Sequence, residues 1–429
     1  MRDRFRFILN RINEKLWVKP LLMCIASTIL VFVAKAVDNV ALDQLVPIIT
    51  QKSIETLLSI ISASMLVIST FALSSMVAAY NSASTTATPR SFPLIIADDV
   101  SQNALSTFIG SFIFSIVGLV ALQNSFYDKG GRFVLFALTI TLFAIVIITF
   151  VRWVDRIARL GRLGTTIEQT EAATLKALRQ RRGESYLNVI PAAIKLDVCL
   201  TLYAKSIGYV QRVDVFALQK LALETQTQIV VTALPGTFAA PGQALAFVTT
   251  ENSDLPEMDT DIFIKAFQIG NDRKFDEDPR FGLIALSEIA SRALSPAMND
   301  PGTAIAIIGS LVRLFSLWVE PTKITEEQII KYDRVIVPDL SMYDMFEDAF
   351  TGIARDGAGI VEVAVRLQKA FVSLATIGDE SLTHAAIRHS HLALARAEMA
   401  LSLTEDKEVV RQIAKLVNLT TSKPQRSNL

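Results

Sequence analysis

Five hydroxyl-bearing residues, Ser59, Ser62, Ser69, Thr70 and Ser74, interrupt an otherwise apolar stretch. At about 100° per residue they fall on one half of a helix, and Asn81 and Ser84 extend the same face. Hydroxyls so placed either bond to neighbouring helices or line a wet path. Both readings stand. A second group, Arg292, Ser295, Asn299 and Asp300, lies in RALSPAMNDPGTA. Asp300-Pro301 marks a helix start, because aspartate accepts bonds from the first amides and proline fits the first turn. Capping alone accounts for Asp300. The functional alternative is a polar pocket at that helix N-terminus, holding an anionic or small polar ligand.

Other chemistry is thinly supplied. His384 and His391 lie seven residues apart on one helix face, with His389 off it, and metal sites want closer spacing or added carboxylates and thiolates. No Gly-rich phosphate loop, nucleophile elbow or zinc motif is present. The expectation is no metal, no cofactor, no catalytic group and no enzyme. Lys+Arg and Asp+Glu both number 42, so net charge makes no case for nucleic acid. The two cysteines, Cys24 and Cys199, exclude a disulfide framework.

The elements that carry these groups fall into two halves. The chain is 51% hydrophobic with a mean hydropathy of +0.40, and the surplus is concentrated at one end. A spanning helix needs about 20 apolar residues, since the hydrocarbon layer is near 30 Å and each residue rises about 1.5 Å. Four stretches qualify: Pro20 to Val37, Ile54 to Tyr80, Leu105 to Leu122 and Phe133 to Val151. The third carries the small residues Ser111, Ser115 and Gly118, which allow close helix approach, while the fourth is apolar on every side. No charge lies deep in any of them, which disfavours a proton relay or charge-coupled pump. Arg2, Arg4, Arg6, Arg11, Lys15 and Lys19 precede the first stretch, and Arg152, Arg156, Arg159 and Arg162 follow the fourth. The positive-inside rule then places both termini in the cytoplasm. The second connection, Asn81 to Ala104, reads either as a solvated turn or as a surface that docks on the soluble part, with Asp98 and Asp99 in it.

Residues 165–182 form a charged helix expected to continue the fourth span as a stalk. Gly208 to Val213 and Gln228 to Leu234 have strand character, Val215 to Leu223 reads as a short helix, Pro235-Gly236 turns, and Ala244 to Thr249 can return. Later sequence is mainly helical, with twin starts at Asp278-Pro279 and Asp300-Pro301. The expected fold is mainly α, with a four-helix transmembrane domain followed by a cytoplasmic α+β domain having a small mixed sheet and several helices. Its boundaries are 1–155 for the spans, 156–182 for the stalk, 183–257 for the mixed α/β unit, 258–420 for the helical domain and 421–429 for a disordered tail.

The sequence resembles the bacterial membrane proteins grouped as domain of unknown function 2254. The likeness rests on the four-span pattern, ATPR at Ala87 to Arg90, GYVQ at Gly208 to Gln211 and PGTFAAPG at Pro235 to Gly242. It rests also on Asp278 to Gly282 and on RALSPAMNDPGTA at Arg292 to Ala304. The resemblance supports topology and fold and implies no activity. From the residues, the expectation is a homo-oligomeric ion channel or channel-like transporter of the bacterial inner membrane, gated by its cytoplasmic domain. Its partners are the lipid bilayer, further copies of the chain and inorganic ions, with no nucleic acid. The alternative is a membrane-anchored ligand sensor or scaffold without transport activity.

Overall fold

The computed structural model describes residues 17–36, 38, 47–96, 98–185, 199–250, 259–320 and 333–419. The cationic segment before Trp17 and the expected tail from 421 lie outside them. The chain divides into two compact units, Met1–Thr166 and Ile167–Leu429.

The first unit is built from α1 (Val18–Ala36), α2 (Gln51–Thr86), a 3-10 turn (Pro89–Ser91), α3 (Phe92–Ile96), α4 (Asp99–Gln123) and α5 (Lys129–Ile157). The second, third and fourth expected spans each lie within one longer helix, and α1 covers the first from Pro20 to Ala36, Val37 lying outside the described residues. At about 1.5 Å per residue, the 36-residue α2 is far longer than a bilayer core. The connection expected from Asn81 is therefore helical to Thr86. Central α4 packs against α1, α2 and α5. Its small residues make this possible: a Cβ on Gly110 would sit 3.0 Å from Met23 Cβ of α1, and one on Gly118 would sit 3.4 Å from Leu58 of α2. Ser111 and Ser115 are fully buried, each bonding back to a carbonyl of its own helix.

What is outside is as telling. Leu22, Ile25, Ile29 and Phe32 of α1, and Phe143, Ile147, Ile148 and Val151 of α5, are all exposed. Small and hydroxylated residues inside with large aliphatics outside invert the order of a water-soluble bundle. Such a surface suits lipid.

Helix α6 (Leu163–Ser185) begins in the first unit and ends in the second. The charged helix expected over 165–182 forms, separated from α5 by residues 158–162. Gly161 has φ +79, and a Cβ there would lie 2.7 Å from the carbonyl oxygen of Ala79. Only glycine turns this corner without strain, so α5 stops and α6 starts anew.

In the second unit β1 (Cys199–Tyr203), β2 (Gly208–Val213), α7 (Val215–Thr225), β3 (Gln228–Val231), β4 (Phe238–Ala239) and β5 (Ala244–Thr249) follow in order. Next come α8 (Thr260–Ile264), β6 (Phe267–Gly270), α9 (Pro279–Ala293), α10 (Pro301–Val319) and β7 (Val335–Ile336). Helices α11 (Met342–Asp356), α12 (Val361–Ala375), α13 (Glu380–Ala400) and α14 (Thr404–Leu419) complete it. Two sheets form where one was expected. One has the order β1-β5-β3-β7, antiparallel except for parallel β3 and β7, and the other is antiparallel β4-β2-β6. Their apolar faces share one core with Leu218 of α7, including Val210, Ile229, Leu245 and Val248. Strands β6 and β7 cross the boundary expected at residue 257, because each completes a sheet begun earlier in the chain. Helices α9 to α14 pack as a layer of neighbours.

Candidate functional site

The hydroxyl face of α2 is divided by its neighbours. Ser62 and Ser69 turn into the bundle and are buried, whereas Ser59, Thr70 and Ser74 stay exposed on the outside with Thr56, Ala63 and Asn81. Ser62 donates to the Ser59 carbonyl at 2.9 Å, Thr70 to that of Val67 at 2.8 Å, and Ser74 to that of Thr70 at 3.0 Å. Back-bonded hydroxyls satisfy their own donors at little cost to the helix. Ser69 Oγ has no partner among the described residues.

A polar node at one end of the same bundle escaped the sequence reading. Asp98 N-caps α4, accepting from Ser101 N at 3.0 Å, and its side chain is only 3% exposed. Arg156 of α5 meets the same carboxylate from the other side, with Nε at 2.8 Å. Asp98 in that connection is thus an interior ion-pair partner and not a solvated acid. Tyr80 Oη, Ser101 Oγ and Trp153 Nε1 are buried without partners among the described residues. The available signal was an Asp-Asp pair before a helix start and an arginine just past an apolar run. At the opposite end, Asp38 accepts from Asp128 N at 3.0 Å and from Gly131 N at the start of α5, while Lys35 bridges it to Asp128. A carboxylate against a helix N-terminus is favourable.

The second candidate group proves to be a helix–helix corner. Asp300 accepts from Thr303 N at 3.0 Å and from Thr303 Oγ1 at 2.6 Å, capping α10. Ser295 Oγ donates to the Arg292 carbonyl at 2.7 Å. Asn299 sits at φ +48, the left-handed turn that lets Asp300 N return to the Ala293 carbonyl at 2.8 Å. Arg292 and Asn299 are exposed. The Ser295 hydroxyl and the Asp300 carboxylate serve two helix ends.

The remaining motifs meet at one joint. Asp278 caps α9, accepting from Phe281 N at 3.0 Å, and holds Arg273 through two bonds of 2.7 and 2.9 Å. Burial pushes its carboxyl above the ordinary value against the pull of Arg273. Gly236, at φ +93, must be glycine, since a Cβ would collide with that carboxylate. Arg280 spans Asp348 and Asp344 of α11 at 2.6 and 2.8 Å. Gly282 is pressed against Thr174 of α6. In GYVQ, Tyr209 packs edge-on to Phe238 and Gln211 bonds the Asp272 carbonyl at 2.7 Å. These motifs fasten the small sheets to α9.

Long apolar helices packed through serine and glycine define a mainly helical membrane protein with several candidate spans. Residues 13–373 match the family described as predicted membrane protein, DUF2254, and the chain belongs to that family. It is similar to uncharacterized proteins of Mycobacterium bovis and Mycobacterium tuberculosis, 25% identical over 328 residues. The similarity covers 72% of this chain and 62% of each relative. No solved structure matches.

Proposed function

We propose that the chain is a homo-oligomeric channel or channel-like transporter of the bacterial inner membrane, crossing four times and catalysing no reaction. In this reading α1, α2, α4 and α5 are the spans, both termini and the second unit are cytoplasmic, and the second unit controls opening. Among the described residues five helices are long and apolar enough to cross, α10 being the fifth. Its large side chains Ile307, Ile308, Leu311, Leu314 and Phe315 are buried among its neighbours, unlike the outward aliphatics of α1 and α5. A helix whose apolar face is already used has no need of lipid. We therefore count four.

The observation that carries the transport reading is the outward strip Ser59, Ala63, Thr70 and Ser74 on α2. The inward hydroxyls are packed against protein, so a wet path would have to run between copies along the outward ones. Purified full-length protein in liposomes, assayed for potassium, sodium and chloride flux across voltage, pH and membrane tension, tests it. Flux that falls or changes selectivity in Ser74→Val and Ser59→Val is expected. Folded protein that conducts nothing under all these conditions, or that stays monomeric in nanodiscs, rejects it.

A further inference from the structure

One unassigned group of ionisable side chains lies between α11 and α13. Arg388, His389 and Arg396 of α13 face one carboxylate, Glu347 of α11. Glu347 Oε1 is 3.5 Å from Arg388 Nη1 and 3.8 Å from His389 Nε2. Charge-assisted hydrogen bonds run at about 2.7–2.9 Å, so neither contact is a made bond. The other carboxylate oxygen is drawn away, accepting from Thr351 at 2.6 Å. His389 is 2% exposed, and its Nε2 has no hydrogen-bond partner among the described residues. The buried Nη1 of Arg396 has none either. Donors left unmade inside a protein are costly, so a ligand or water is called for.

The donors are held in place. Arg388 stacks over Tyr343, with its guanidinium carbon 4.0 Å from the ring centroid. His389 lies against Phe346 and Phe371, with ring centroids 5.4 and 6.4 Å away. Burial among these rings depresses the imidazole to about 4, so at neutral pH it is uncharged and can present Nε2–H. Two arginines against one glutamate leave one net positive charge. The site opens to solvent at Arg388 and Glu347, whose side chains are 43% and 32% exposed.

We propose that Arg388, His389 and Arg396 form a binding site for a small oxyanion of the inorganic phosphate class, with Glu347 as an internal placeholder that yields to it. The ligand's oxygens would take the three unmet nitrogens, and Glu347 would swing toward solvent while keeping Thr351. The site stands independently of the transport reading.

Titration of the full chain in detergent with inorganic phosphate, followed by calorimetry and thermal unfolding, tests this, with sulfate as a second oxyanion and chloride at matched ionic strength as the control. Saturable binding of phosphate but not chloride is expected. Removing the placeholder charge in Glu347→Gln should tighten binding about tenfold, and Arg396→Gln should abolish it. Should Arg396→Gln fail to fold, the Glu347→Gln comparison still decides. No saturable phosphate effect in either the native chain or Glu347→Gln means that ordered water alone completes the cluster, and overturns the proposal. So does undiminished binding in Arg396→Gln.

Discussion

Arg156 grips the buried carboxylate of Asp98 with two nitrogens, Nε at 2.8 Å and Nη2 at 2.5 Å, and so ties the start of α4 to the end of α5. Asp98 is also the N-cap of α4, so one side chain serves a helix end and an ion pair together. Removing Arg156 leaves the Asp98 carboxylate buried and unmatched, which costs about 3–5 kcal/mol. Arg156→Ala should therefore lower the unfolding temperature in detergent sharply, and Asp98→Ala should lower it through the lost cap and ion pair. Asp98→Ala with Arg156→Ala should cost less than the two losses added, because the second change removes the stranded charge. Strict additivity would show that the two groups act separately.

Gly282 offers a test in the second unit. A methyl group there would overlap the side chain of Thr174, whose hydroxyl is held by the Thr170 carbonyl at 2.6 Å. Alanine favours a helix over glycine by about 1 kcal/mol, but overpacking costs about 1–3 kcal/mol. Three contacts under 3.0 Å make the clash the larger effect. Gly282→Ala should thus destabilise the protein in chemical unfolding. Thr174→Ala should rescue it only partly, since the Thr174 Cβ itself would stand 2.8 Å from the new carbon.

His389 sets a pH dependence of known sign. In the unfolded chain the imidazole takes a proton near its ordinary value of 6.5, whereas burial holds it neutral in the folded protein down to about 4. The group therefore contributes its full stability above pH 6.5 and loses it as pH falls toward 4. The loss amounts to about 3 kcal/mol at most. Glu347, held below its ordinary value first by the Thr351 hydroxyl, loses its own contribution only below about pH 4.5. Unfolding followed between pH 7 and 5 isolates the histidine, and His389→Leu should flatten the curve there. An unchanged slope would show that His389 does not titrate in that range.

The legible parts of this fold were those governed by neighbours along the chain. Asp278-Pro279 and Asp300-Pro301 announced two helices because cap and first turn are three residues apart. The four long apolar helices, and strands β2, β3 and β5, followed from period and turn residues. What stayed hidden depends on residues distant in sequence. Asp98 looks like a surface acid until Arg156, 58 positions away, is brought to it. Val335 lies in sequence that reads as mainly helical, yet it is a strand residue paired with Ile229. In RALSPAMNDPGTA the Asp300 cap was legible, whereas the corner made by left-handed Asn299, which returns Asp300 N to the Ala293 carbonyl, was not.

The hydroxyl strip of α2 shows the same limit and supplies the last prediction. Helical spacing groups Ser59, Ser62, Ser69, Thr70 and Ser74 on one half-circle, but only packing against α4 and α5 decides which of them meets protein. Ser62 and Ser69 are buried, while Ser59, Thr70 and Ser74 are exposed on the single chain. Single cysteines at the five positions, in a background with Cys24 and Cys199 replaced by alanine, would separate the possible surroundings. Ser62→Cys and Ser69→Cys should resist every thiol reagent, because the bundle interior admits none. If the outward strip borders water between copies, a charged, membrane-impermeant methanethiosulfonate should modify Ser59→Cys, Thr70→Cys and Ser74→Cys and depress flux. If it borders acyl chains, neither the charged reagent nor a maleimide should react appreciably, since a charged reagent stays out and a thiol in hydrocarbon stays protonated and so is a poor nucleophile. Reaction with the charged reagent at these three sites and at neither buried one requires several copies around a wet axis, because one bundle cannot wet its outer face within a bilayer.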